Sequence, residues 1–450
     1  MSALEGCMQK TLIKFVPFLI MASFLATGCT QTGTTPHKLV PQHGTSGGNR
    51  SIVYAEVPVY MGSVLDVSNK AKIIFIEVGK GAEAKTFLVK FDDKTQGIEN
   101  AVAGHASIIN YEMRENEPWA TVIKPKLAKL PEGVTEIKTT ELKAMQDKGD
   151  KFTLVDSRPA KRFAPSSLPG AINIPVDEFN DKASKRPANK DELLVFYCGG
   201  PTCGMSTESA DKAKKMGYKN VQVYLEGEPG WIKTGNPTYA SKEFISKGNI
   251  VLIDLRSAEK SAAGRIPRSV TIPYATLKGK AESLPKKAPI VLYSDDADEA
   301  MNALKDLRKA GLKKVSLVPG NMDGWVKAGG ETTSGPVVST IEWKRQLEKG
   351  EVSVADFLNV ANDKATDAII LDVRTKDESA SGKYKNAVSI PLDQLTNRKG
   401  ELPKDKKIYV HCTTGARADM AAKELNKNGF NAFFLVGDVK CKSNECTIED

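Results

Sequence analysis

Residues 369–374 read IILDVR. The same pattern, an apolar run ending in aspartate and then arginine two places on, stands at 153–158 (TLVDSR) and at 251–256 (VLIDLR). Self-similarity on this scale marks successive copies of one structural unit. Each copy continues into a second shared element: GAINIP at 170–175, RSVTIP at 268–273 and NAVSIP at 386–391. A third apolar run follows, Leu193 to Tyr197, Pro289 to Tyr293 and Lys407 to His411. Then comes a helical pattern closed by Gly217, Gly311 or Gly429, glycine being the residue expected just past a helix. Val221–Leu225, Val315–Val318 and Ala432–Val436 end the units. The spacings from Asp156 to Cys198, Asp254 to Ser294 and Asp372 to Cys412 agree to within two residues. Short apolar strands alternating with helices predict an α/β fold, a parallel sheet flanked by helices in each repeat. Reactive groups in such sheets sit at the carboxyl ends of strands, and the third run ends at Cys198, Ser294 or Cys412.

The rest of the chain frames these repeats. It has 450 residues, 40% hydrophobic and 26% charged, which is a globular composition. Its net charge of +9 comes from 64 basic and 55 acidic residues. The lysines form no run of five or six, so the charge reads as a solvated surface with a general attraction for anions, not as a nucleic-acid footprint. Lys10 and Lys14 precede an apolar stretch, Phe15 to Leu25, which then reads Leu25-Ala26-Thr27-Gly28-Cys29. This is the shape of an export signal, too short for a spanning helix. It resembles the lipobox of bacterial lipoproteins, which implies lipid attachment at Cys29 and a place on the periplasmic side of the cell envelope. Met8 gives a cleaner basic start than Met1, because Glu5 and Cys7 are unusual in such a leader. Residues 29–50, rich in Thr, Gly and Pro, read as a flexible tether. Residues 51–130 alternate or run apolar between glycines and predict a small antiparallel β domain, with a barrel as one form it can take. His105 stands alone there and reads as a surface or packing residue.

The third repeat carries the clearest chemistry: Cys412-Thr413-Thr414-Gly415-Ala416-Arg417 between the strand run and a helix whose Ala418, Ala421, Ala422 and Leu425 share one face. Loop amides and the start of a helix favour an anion, so they stabilise a thiolate or a negative group attached to sulfur. Arg417 adds a cation, read here as lying on the rim of the loop. With LDVR before it and SIP between, this stretch resembles the active-site loop of the rhodanese family, and the resemblance covers residues 135 to 440. It implies sulfur transfer: a sulfane sulfur passes from thiosulfate or polysulfide to Cys412 and on to a thiol, on a protein or a small molecule, or to cyanide. The six-residue loop implies a sulfur substrate, and Arg417 implies the thiosulfate type. The third repeat departs from the family in two places. Lys383-Tyr384-Lys385 replaces a His-Ile-Pro, and no tryptophan stands where Trp231 and Trp325 mark the other repeats.

The first loop, Cys198-Gly199-Gly200-Pro201-Thr202-Cys203-Gly204-Met205-Ser206, has its cysteine at the strand end and puts Cys203 in the place of Arg417. It resembles a two-thiol subgroup of the family. Charge compensation falls to Arg158, Lys161 or Arg162, and the two thiols permit a disulfide, either resolving or structural. The second loop reads Ser294-Asp295-Asp296-Ala297-Asp298-Glu299; the missing nucleophile and the crowd of acids mark an inactive repeat. Cys441 and Cys446 near the end read as a local pair, which leaves Cys412 as the free thiol. No cofactor is called for. A metal site is not expected, with only four histidines and too few thiols at ligand spacing.

The organisation expected is therefore a leader (1–28), a tether (29–50), a β domain (51–130) and repeats at 135–236, 237–332 and 337–440, with a cysteine-bearing tail at 441–450. The leading function is an exported, lipid-anchored sulfurtransferase using Cys412 and Arg417, with Cys198 and Cys203 as a second site. Thr413, Thr414, Gly415, Ala416, Gly199 and Gly200 form the substrate loops. A non-catalytic scaffold and a thiol-disulfide protein built on Cys198 and Cys203 remain as alternatives.

Overall fold

The computed structural model describes residues 58–69, 71–79, 81–443 and 445–449, together with the backbone of 39–41 and 54–56. Cys29, the leader and most of the tether lie outside the described residues. Strands β1 (Leu39–Pro41) and β2 (Tyr54–Glu56) pair antiparallel in a unit of their own.

The next unit begins with a closed five-stranded barrel: β3 (Val59–Ser68), β4 (Ile73–Val78), β5 (Lys85–Lys90), β6 (Ala106–Arg114) and β7 (Glu117–Pro125), ordered β3-β4-β5-β7-β6. Its interior holds Val64, Ile74, Ile76, Val89, Phe91, Ile109 and Ile123. Tyr60 stacks between Phe87 and Tyr111, with ring centroids 4.6 and 4.4 Å away. Side chains alternate across a strand, so Ile73 and Phe75 should face outward, yet both are buried. The outer face of β4 is dry because the third repeat covers it: the Arg417 guanidinium lies 5.7 Å over the Phe75 ring.

The three repeats then build three parallel sheets. The first contains β8 (Thr135–Glu136), β9 (Thr153–Asp156), β10 (Ile172–Asn173), β11 (Leu194–Tyr197) and β12 (Val221–Tyr224), ordered β10-β9-β11-β12-β8. The second has β13 (Val251–Asp254), β14 (Val270–Thr271), β15 (Ile290–Tyr293) and β16 (Val315–Leu317), ordered β14-β13-β15-β16. The third has β17 (Ala368–Asp372), β18 (Ala387–Ser389), β19 (Lys407–His411) and β20 (Asn431–Phe434), ordered β18-β17-β19-β20. The central strands β11 and β15 are buried along their length, and β17 and β19 at all but one position each, as the apolar runs demand.

The shared Asp-x-Arg closes each unit. Asp372 is fully buried and accepts from Arg374 Nε (2.9 Å) and Nη2 (2.7 Å); Arg374 Nη2 also donates to the Gly382 carbonyl at 2.8 Å. Arg158 makes the same set with Asp156 and the Ser166 carbonyl, and Arg256 with Asp254 and the Gly264 carbonyl. The clamp ties a strand end to the loop eight residues past the arginine.

The repeats differ after their last strand. A short helix follows in the first two, Gly227–Lys233 and Asn321–Lys327, each burying its tryptophan. In the third, an antiparallel hairpin takes that place, β21 (Asp438–Lys442) and β22 (Glu445–Glu449). It is cross-linked by the Cys441–Cys446 disulfide. Val439, Cys441 and Ile448 pack against Tyr384, Tyr409 and Leu435, which supplies the apolar cover the missing tryptophan would have given.

Removing one partner of a buried pair leaves an uncompensated charge, at a cost of about 3–5 kcal/mol. Arg374→Ala should therefore speed amide exchange throughout 353–440 while leaving the first two repeats at wild-type protection, as read by hydrogen-exchange mass spectrometry.

Candidate active sites at two cysteine loops

Strand β19 delivers Cys412 to its carboxyl end, and the helix Ala416–Lys427 begins four residues on. The Gly415 amide donates to the Cys412 sulfur at 3.1 Å. Gly415 has φ +111°, and a Cβ there would meet the Leu435 carbonyl oxygen at 3.0 Å, so the turn that aims this amide requires glycine. Thr414 and Ala416 are exposed, while Thr413 is half-buried and donates to Glu378 Oε1 at 3.0 Å. The Thr413 carbonyl accepts from Val439 N of the hairpin at 2.8 Å, which anchors the loop from its other side. Cys412 itself is 1% exposed.

Arg417 does not lie on the rim. It is 1% exposed and points inward, with Nη1 and Nη2 donating to the two Glu378 oxygens at 2.7 and 3.0 Å. Nη2 also reaches Thr413 Oγ1 at 3.0 Å. Its Nε sits 3.2 Å from a carboxylate oxygen of Asp66, on barrel strand β3, without hydrogen-bond alignment. The physical reason is that the first turn of the helix aims residue 417 at the capping box of helix Lys376–Ala380, where Thr375 and Glu378 meet. Burial pushes the Glu378 carboxyl up, but hydrogen bonds from Arg417 outweigh it and hold the group down at about 2. Asp66 is raised, burial exceeding the attraction of Arg417.

His411, the residue before Cys412, is fully buried. It packs edge-on against Phe357 and Tyr384, centroids 5.7 and 5.3 Å away. Its Nε2 is 3.8 Å from Asp372 Oδ1, too far for a hydrogen bond, and has no partner. In the other repeats a tyrosine stands there; Tyr293 donates to Asp254 at 2.9 Å. Burial lowers His411 to about 4, against a pull upward from Asp372.

In the first repeat Cys198 ends β11 as expected, but Cys198 and Cys203 are free thiols and not a disulfide. Cys198 Sγ donates to the Cys203 carbonyl at 3.3 Å and lies 3.2 Å from Ser206 Oγ. The two thiols are close enough to shift each other's titration in opposite directions. Cys198, with the Gly199 and Met205 amides, lowers Cys203 to about 7, while Cys198 is raised by Cys203 and burial. Gly200 takes φ +114° in this loop, and a Cβ on Gly199 would lie 4.0 Å from Cys203 Cβ. Arg158 is committed to Asp156 and Glu228, and Lys161 and Arg162 are exposed. Thr202 receives a contact from the barrel: its hydroxyl is 3.0 Å from His105 Nδ1. His105 is therefore a domain-contact residue, not a solitary one. In the second repeat Ser294 Oγ donates to Glu299 at 2.9 Å, and Asp295 pairs with Arg256 and Lys260.

The residues missed from sequence are Glu378, Asp66, Ser68 and Ser206. Glu378 carried a signal, the Thr-x-x-Glu capping box; Asp66 and Ser68 carried none.

Against known proteins, the Rhodanese-like domain family model matches residues 138–234, 237–328 and 353–440, more than half of the chain. The protein belongs to the rhodanese-like family, with three tandem copies of its domain. A sulfurtransferase of Allochromatium vinosum is 33% identical over 64 residues, 14% of this chain and 60% of that one. An HTH-type transcriptional regulator of Mycobacterium tuberculosis is 33% identical over 101 residues, 22% of this chain and 43% of that one. The chain thus spans about half the length of these two relatives. A solved thiosulfate sulfurtransferase from Pseudomonas aeruginosa is 17% identical, covers 70% of both chains and has a TM-score of 0.23.

Two titrations follow. His411 is depressed in the fold relative to its value of 6.5, so the unfolded chain takes up the proton first as pH falls. Its stabilising contribution is complete above about pH 6.5 and is lost on the way down to about pH 4, on the order of 3 kcal/mol. The Glu378 contribution is lost lower, between 4.5 and about 2. Denaturant melts at a series of pH values should show the upper loss in the third repeat, and His411→Tyr, the residue of the other repeats, should remove it. Separately, Cys203 alkylation should show a midpoint near pH 7 that moves upward in Cys198→Ala, as quantitative mass spectrometry would read.

Proposed function

We propose that this protein is a sulfurtransferase whose third repeat carries sulfur as a persulfide on Cys412. The observation that carries this reading is the Gly415 amide aimed at the Cys412 sulfur at the start of a twelve-residue helix. Donors and dipoles placed where negative charge resides stabilise it without reorganisation. The Cys412 thiolate attacks the outer sulfur of a donor such as thiosulfate or a polysulfide. The donor S–S bond breaks, and sulfite or the shortened polysulfide leaves with the bonding pair. The terminal persulfide sulfur is then taken by a thiolate or cyanide acceptor, which returns the Cys412 thiolate. No outside oxidant or reductant is needed, since sulfur moves at the same oxidation level.

The second loop holds serine with its hydroxyl engaged by Glu299, and it serves as structure. The first offers a different chemistry, because it holds two free thiols in one loop and the second, Cys203, is lowered to about 7 by Cys198 and by the Gly199 and Met205 amides. That arrangement favours a resolving role, in which the Cys203 thiolate attacks the inner sulfur of a persulfide on Cys198, the Cys198–Cys203 disulfide forms and hydrosulfide leaves with the bonding pair of the broken S–S bond. The lipobox-like sequence ending at Cys29 supports a lipid-anchored location on the periplasmic side of the envelope, where small sulfur anions and thiols would reach the protein from solution. Cys29→Ser should release it from membranes on fractionation.

Mass spectrometry after thiosulfate treatment should find added sulfur on Cys412. Cys412→Ser should abolish the turnover of this repeat, with any residue traced to Cys198. Turnover persisting in the Cys198→Ser, Cys412→Ser double variant would place the chemistry elsewhere. An inert wild type, with no persulfide at either cysteine, would favour a scaffold.

A further inference from the structure

The barrel supplies a charge to the third repeat, and a break in strand register puts it there. On β3, Val64 faces the barrel interior, so by alternation Asp66 would too. A bulge intervenes: Val64 pairs with Ile76, but Asp66 pairs with Phe75, one residue out of step. A bulge re-aims the side chains beyond it. Val67 returns to the interior opposite Ile74, while Asp66 and Ser68 turn outward beside Phe75 and Ile73. Both outward residues meet the third site: Asp66 lies 3.2 Å from Arg417 Nε, and Ser68 Oγ donates to Glu378 Oε1 at 3.4 Å.

Arg417 is the loop's single cation. Glu378 occupies both Nη groups and Asp66 flanks Nε, so one positive charge faces two carboxylates. The neighbouring Arg374 and Asp372 cancel each other. His411 is held neutral above about pH 4. Glu378 alone would balance Arg417; the barrel carboxylate tips the group negative. Coulombic repulsion in a partly dry site is felt far more than in water.

We propose that Asp66 is a specificity-determining residue of the Cys412 site. It disfavours small anionic donors such as free thiosulfate and selects sulfur carried on an uncharged or cationic group, such as an alkyl persulfide flanked by basic residues. This narrows the sulfur-transfer reading and rests on it: thiosulfate still loads Cys412, but as a poorer donor than an uncharged or cationic one, and the charge at Cys412 can be tested without turnover.

The probe is the ratio of Cys412 alkylation rates with iodoacetate and iodoacetamide, equal in size and different in charge, normalised to N-acetylcysteine. In the wild-type full chain the normalised ratio should lie below one at low ionic strength and rise toward one near ~1 M salt, where the screening length is about 3 Å. Asp66→Asn should raise it about fivefold at low salt, Asp66→Glu should leave it as in wild type, and the ratio at Cys203 should not move. Should Asn pack poorly at the bulge, judged by thermal melting, Asp66→Ser replaces it. The thiosulfate KM should fall in the same variants with kcat less affected. A wild-type ratio that falls with salt, or one unchanged in a folded Asp66→Asn protein, would overturn the proposal. So would an equal rise at Cys203. If the alkylation ratio responds as described while no variant transfers sulfur, the charge assignment stands and the sulfurtransferase reading fails.

Discussion

A carboxylate with no exposed surface sits at the end of the first long strand of every repeat, and the rest of each unit is arranged around it. Burying such a charge is costly unless it is paired and hydrogen-bonded. Asp156, Asp254 and Asp372 are each met by the arginine two residues later, whose Nη2 also donates to a carbonyl eight residues further on. The clamp therefore fixes the strand end, the following loop and, through the strand next to it, the position where Cys198, Ser294 or Cys412 emerges. A cysteine loop held by so rigid a base needs little of its own to stay in place.

What differs among the copies is the layer just beyond that base. Tyr293 answers Asp254 with a hydroxyl, whereas His411 lies near Asp372 without a bond and is kept neutral by burial. The third repeat is also the one whose tryptophan helix became a disulfide-closed hairpin, and the hairpin holds the carbonyl of Thr413. Conserved scaffold and altered cover meet at the cysteine that carries the clearest chemistry.

The repeats were legible in the sequence because their signal is periodic: three copies of strand, helix and glycine cap at equal spacing leave one reading. The emergence of Cys198 and Cys412 at strand ends was legible for the same reason. The direction of Arg417 was not. Spacing locates a residue on a helix turn but does not say whether it faces solvent, and its partner Asp66 is far away in the chain on an unrelated fold. The bulge that turns Asp66 outward changes one register step among apolar residues and leaves no mark in composition. Likewise, two thiols five residues apart permit a disulfide, and only packing shows Cys198 engaged with Ser206 and the Cys203 carbonyl instead.

Over its first four residues strand β4 is dry on both sides. Ile74 and Ile76 fill the barrel, and Ile73 and Phe75 on its reverse are equally dry, with Phe75 beneath Arg417. Around Ile73 and Phe75 the seam between barrel and third repeat is thus packed like an interior, while a cleft of about 620 Å³ opens beside it between Glu77 and Lys423. A fragment cut at the family boundary, residues 353–440, would be complete by ancestry and incomplete by physics. It would uncover apolar surface, return one face of a buried guanidinium to water and alter the charge beside its cysteine. Assays on such an excised domain would describe a different molecule from the one the full chain makes.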